Sequence, residues 1–198
     1  MKKAGFFLFV VMVLNSCELF TTRDPEDPDT GRSGFIPPIS PEIVIENLSS
    51  AIIENNPENY TSCLAIKESG FPADYQFIPS AEGLALFPEI FTDWDFNSER
   101  QYFNYLVSSL NLEDIISFTL TQRETELVMP DSVVYTSPYI LQVPHGQDDL
   151  TEEFRGSIRL TIAKSTSGKW AIIRWRDFET ESDENIRTWS YLKAFYYN

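Results

Sequence analysis

Proton transfer at a buried site takes a carboxyl with a raised pKa and a second group that steadies an oxyanion, often a phenol. Asp177, which follows Trp175-Arg176 near a strand end, is the candidate carboxyl in this chain. Tyr60, Trp94, Tyr102, Tyr135 and Trp175 are the aromatic residues that can line a ligand pocket beside it. The plainer reading is favoured: Asp177 pairs with Arg174, Arg176 or a backbone N–H, and the aromatics fill the core, since rings mostly serve burial. His145 is the only histidine. It lies in a Pro-His-Gly turn, so it is expected in solvent, with no Ser-His-Asp arrangement around it. One histidine and one cysteine besides Cys17 do not make a transition-metal site, and no cofactor is expected. Arg155, Arg159, Arg174 and Arg176 fall on neighbouring strands; they bind an acidic ligand or, more readily, pair with the chain's own 30 acids. Asp24, Glu26, Asp27 and Asp29 lack the glycine and distal glutamate of a calcium loop and read as solvated linker. Cys63 reads as a buried hydrophobe on a helix face.

The element that positions these residues is a hairpin over residues 153–179. Phe154, Gly156, Ile158, Leu160 and Ile162 alternate with Arg155, Ser157, Arg159 and Thr161, the period of a half-buried strand. Trp170 to Trp175 is apolar on both faces, as in a central strand covered on both sides. Gly168 supplies the positive φ of the turn. Two further strands are expected, one from Ile116 that can run on to Met129, and one from Val133 to Val143 with a bulge or an edge at Pro138. Ahead of them, Ser40-Pro41-Glu42 opens a helix with Val44, Leu48, Ala51 and Ile52 inward. A short helix after Asn56-Pro57 carries Tyr60, Cys63 and Leu64, and a third spans about Ser98 to Leu110. Residues 69–95 are aromatic and broken by three prolines, so they read as irregular, with one helical turn around Glu82–Phe87. The tail from Ile186 carries Trp189, Leu192, Phe195 and Tyr196 and is expected to pack back on the sheet.

The amino terminus is a different kind of sequence. Lys2 and Lys3 precede an apolar run from Ala4 to Leu14, too short for the ~20 residues a membrane span needs. With Leu14-Asn15-Ser16-Cys17 it resembles a bacterial lipoprotein signal peptide and its lipobox. That resemblance implies cleavage before Cys17, diacylglycerol on its sulfur and an acyl group on its new amine. It places the protein in the bacterial cell envelope, held in the membrane by its lipid anchor. Residues 17–39 then form the lipidated cysteine and a flexible tether rich in Asp, Pro, Gly, Ser and Thr. The chain's formal charge is −15. Removing a leader with two lysines and no acid would make it −17. Such a surface repels nucleic acid and anionic lipid alike.

Helices first and antiparallel strands after them predict an α+β domain over residues 40–198, N-terminal helices packed on one face of a curved sheet. SPEIVIENLSSAIIENNPENYTSCL (40–64), WDFNSERQYF (94–103) and GKWAIIRWRDFE (168–179) resemble the cone-shaped nuclear transport factor 2-like superfamily, which includes ketosteroid isomerase-like and SnoaL-like members. The resemblance implies a pocket between helices and concave sheet, and in the enzyme members an Asp or His with a Tyr inside it. The expected function is a non-catalytic domain that binds a small apolar ligand or another envelope protein. The alternatives are an isomerase or dehydratase with Asp177 as its acid or base, and a structural surface domain that forms homodimers.

Overall fold

The structure, a computed structural model, describes residues 34–111, 113–147, 150–180 and 187–197. The leader, the Leu14–Cys17 motif and the acidic run 24–29 lie outside the described residues. Helix α1 spans Pro41–Ile53, α2 Pro57–Ser62, α3 Ala81–Leu86, α4 Pro88–Phe91, α5 Phe96–Ser109 and α6 Trp189–Tyr197. The strands are β1 Gln76–Ile78, β2 Ser117–Leu120, β3 Glu124–Met129, β4 Ser132–Gln142, β5 Glu153–Lys164 and β6 Trp170–Phe178. They form one sheet in the order β1-β6-β5-β4-β2, with β3 also on β4. Every pairing is antiparallel except β1 with β6. This is the α+β arrangement expected, with helices against one face of an unclosed sheet.

Local chemistry explains the boundaries. Pro41 and Pro57 stand at the starts of α1 and α2, where a missing N–H costs nothing. Asn56 caps α2 by accepting from Asn59 N at 3.0 Å. Asp95 caps α5, accepting from Asn97 N and Ser98 N at 2.8 and 2.9 Å. Val44, Leu48, Ala51 and Ile52 form the buried stripe of α1. The chain ahead of α1 is docked too: Asn47 bonds both backbone groups of Ile36, and Trp170 N donates to Pro38 O at 2.8 Å.

The β5–β6 hairpin turns at Gly168, φ +86°, and its five alternating inward residues are all buried. Pro138 is on neither an edge nor a bulge. β4 is paired along one side with β5, and along the other with β3 at one end and β2 at the other. Pro138 falls at the handover, where no partner asks for its N–H, while its carbonyl still accepts from Thr121 N at 3.1 Å. The stretch 69–95 is more ordered than its prolines imply, since it holds β1, α3 and α4. The tail forms α6, which packs on α5, α3 and β5 and buries Trp189, Leu192 and Tyr196. Among the described residues no helix is long and apolar enough to cross a membrane.

Candidate functional site

Behind the cap at Asp95, the first turn of α5 points Glu99 into the interior. From the other side α6 brings Lys193, and neither side chain is exposed to any degree. Lys193 Nζ donates to Glu99 Oε1, which also accepts from Tyr60 OH at 2.5 Å. Glu99 Oε2 accepts from Tyr75 OH at 2.9 Å and from Trp94 Nε1 at 2.8 Å. Four donors saturate the carboxylate. Around the ammonium lie the rings of Phe77, Trp175, Tyr102, Trp94 and Trp189, with centroids 4.1, 4.6, 5.2, 5.7 and 5.8 Å from Nζ. Burial pushes the Lys193 pKa down, and the Glu99 charge pulls it back. Burial, with Glu99 alongside, raises the Tyr60 and Tyr75 phenols well above their ordinary range.

A second carboxylate sits next door. Asp177, on β6, is 1% exposed. Its Oδ2 accepts from Ser190 N at 2.8 Å and Ser190 Oγ at 2.6 Å, and its Oδ1 from Tyr139 OH at 2.9 Å. Tyr139 OH in turn accepts from Trp189 N at 2.7 Å, and Trp189 Nε1 donates to Tyr102 OH at 2.8 Å. Burial raises the Asp177 pKa; hydrogen bonds from Ser190, Tyr139 and Thr188 hold it back. The start of α6 thus satisfies Asp177, and its middle satisfies Glu99.

The fold therefore brings Tyr60, Trp94, Tyr102 and Trp175 together around one point, with Asp177 beside them. That point is taken by Lys193 of the chain's own last helix. Tyr135 stands apart and donates to Glu42 Oε1 at 2.6 Å. Asp177 bonds a backbone N–H, as the plainer reading has it, and neither Arg174 nor Arg176, which are on the other face of β6. His145 corrects an expectation: it is buried, because its loop folds back on it. Gln147 N donates to Nδ1 at 3.0 Å, leaving Nε2 to donate to Thr151 O at 3.0 Å. Cys63 is buried and free, and burial pushes its thiol pKa up. Among the described residues no group of three or more His, Cys, Asp or Glu is placed to hold a metal. Glu99 and Lys193 escape a reading of the sequence, since a glutamate in a first helical turn and one lysine in a tail look like surface charges. A lone cation amid Trp-Ser-Tyr-Leu and Ala-Phe-Tyr-Tyr was the available signal.

No family profile and no curated protein matches the sequence. Solved structures do resemble the fold. A candidate scytalone dehydratase from Novosphingobium aromaticivorans superposes with a TM-score of 0.54 at 12% identity, over 74% of this chain and 87% of that one. A candidate dehydratase of the nuclear transport factor 2-like family from Streptomyces avermitilis gives 0.53 at 12%, over 71% and 94%. A nuclear transport factor 2-like superfamily protein from Salmonella enterica gives 0.52 at 11%, over 72% and 90%. At such identities the likeness speaks for architecture alone, and the architecture of this chain is the nuclear transport factor 2-like fold.

Proposed function

We propose that this is a lipid-anchored protein of the bacterial cell envelope whose folded domain binds or docks and does not catalyse. The observation that carries the reading is that the buried charged groups beside α6 are taken up by partners within the chain. Glu99, Lys193 and Asp177 are the titratable groups a pocket enzyme would use, and each is buried and committed to partners within the chain. An acid or base needs its proton within reach of substrate, at about 2.6–3.2 Å. A substrate seated where these rings converge would first have to displace Lys193.

The competing reading is a dehydratase or isomerase. It is favoured by two of the structural neighbours, named as candidate dehydratases, and by the raised pKa of Asp177 beside Tyr139. Assays of the purified protein for dehydration and double-bond isomerisation decide between the two. No turnover is expected; turnover that vanishes in Asp177→Asn would establish the enzyme.

The anchor rests on Lys2, Lys3, the apolar run and Leu14-Asn15-Ser16-Cys17. The expected outcome of Cys17→Ser is transfer of the protein from the membrane fraction to the soluble fraction. Retention of the variant in membranes would remove the lipid from the proposal.

A further inference from the structure

The face of the sheet turned away from the helices carries a cluster of arginines in a chain with twice as many acids as bases. Arg159 on β5 stands directly opposite Arg176 on β6, and Arg174 lies two residues along, opposite Thr161. Like charges directly opposite on adjacent strands destabilise a sheet. Among the described residues one acid answers them: Glu126, at 2.6 Å from Arg159. It comes from the irregularity in β3 between Thr125 and Leu127, the one place where the β3–β4 register shifts. Arg155, farther along the same strand, has its own partner in Glu153 at 2.7 Å. Arg174 and Arg176 have no carboxylate within ion-pair distance among the described residues; Arg176 lies against the Phe178 ring at 4.8 Å.

Arg159, Arg174 and Arg176 border a cavity of about 320 Å³ whose other walls include Ile78, Leu127 and Val134. Its size falls in the range that holds small organic ligands. Leu127 is 49% exposed, an apolar surface that this fold leaves open. Two unanswered guanidiniums and an apolar wall are complementary to one kind of molecule. A guanidinium presents paired N–H donors that fit a carboxylate or phosphate bidentately.

We propose that this outer groove is an anion-binding site for a small amphiphile, an oxyanion head group on a short apolar body, with Arg174 and Arg176 on the head and Ile78, Leu127 and Val134 on the body. The proposal names a ligand class for the binding domain inferred above and rests on that reading. It moves the ligand from the ring cluster around Lys193 to the opposite face of the sheet.

The test is calorimetric titration of the full-length protein with sodium octanoate and with octyl phosphate, each below its micellar concentration. Octanol and octyltrimethylammonium serve as neutral and cationic controls. Saturable one-site binding of an anion is expected, weakened roughly tenfold or more in Arg174→Gln/Arg176→Gln and unchanged in Arg155→Gln. Tighter octanoate assigns a carboxylate head, tighter octyl phosphate a phosphate head. Without ligand, Arg176→Gln is expected to raise Tm by about 1–3 °C, because it removes the like charge opposite Arg159. Equal binding of the controls, binding that survives the double substitution, or no binding of either anion overturns the site. So does a dimer in sedimentation that the substitutions dissolve, since the face would then belong to a second copy. These failures leave the non-catalytic reading standing, whereas turnover lost in Asp177→Asn overturns that reading and leaves the groove untouched.

Discussion

A lysine wholly shut off from bulk solvent needs a counter-charge and something polarisable to replace its hydration, and Lys193 has both in Glu99 and five rings. Desolvation costs several kcal/mol per ion, and the pair's mutual attraction and the surrounding rings offset part of it. Removing one partner strands the other. Lys193→Met is therefore expected to lower stability by about 3–5 kcal/mol, and Glu99→Gln/Lys193→Met to recover most of that loss. Urea unfolding of the two variants checks it; a double variant as unstable as the single one would mean that the charges are not coupled. Asp177 behaves differently, because its folded pKa lies above its unfolded value. A group of that kind stabilises fully below the unfolded pKa, near 3.8, and loses that contribution as pH rises through the folded one. Asn cannot ionise and lacks the slope. The stability gap between wild type and Asp177→Asn should thus be widest near pH 4 and narrow toward pH 7. A gap that widens with pH would refute the assignment. The sequence marked Asp177 and its aromatic neighbours because rings and a strand-end acid stand out in type. It hid Glu99 and Lys193 because burial of a charge depends on what the distant chain supplies.

Elements with a clean period were legible, and those without one were not. The hairpin showed itself through alternation, and α1 through its stripe at 44, 48, 51 and 52. β1 has three residues between Pro72 and Pro79, too few for a period, and it exists because β6 offers it a parallel edge. β2 and β3 read as one run, yet β4 pairs with them separately. Gly156 shows how tightly the central strands are drawn together. A methyl group there would meet Tyr139 Oη and the Phe178 carbonyl oxygen, both at 2.6 Å. Neither can retreat freely, since Tyr139 is bonded to Asp177 and Phe178 O is backbone. Gly156→Ala is expected to cost about 1–3 kcal/mol from overpacking, read as a lower urea midpoint at unchanged slope. An unaltered midpoint would mean that β4 and β6 shift more easily than this packing implies.

At the scale of the whole molecule the balance of charge decides how the pieces coexist. With 30 acids against 15 bases, the exposed surface repels itself, and compaction raises that repulsion. The described ion pairs at the surface offer little in return: Arg155–Glu153, Arg159–Glu126 and Arg187–Glu82 are all partly exposed, and pairs of that kind contribute about 0–1 kcal/mol each. The interior pair is shielded by protein, so salt hardly reaches it. Interactions between charges decay over a Debye length of about 30 Å at 0.01 M and 10 Å at 0.1 M, so added salt removes the long-range repulsion before it weakens contacts at 2.6–2.7 Å. Tm is therefore expected to rise as sodium chloride increases from about 0.01 to 0.1 M, and to level off beyond it. Thermal unfolding at fixed pH across that range makes the measurement. A Tm that falls with salt would show that surface pairs, and not net repulsion, dominate. Arg174→Gln/Arg176→Gln should steepen the rise, since it takes two more positive charges from an acidic chain. The arginine face is the exception in this distribution, and that exception is what makes an anionic ligand there the economical reading.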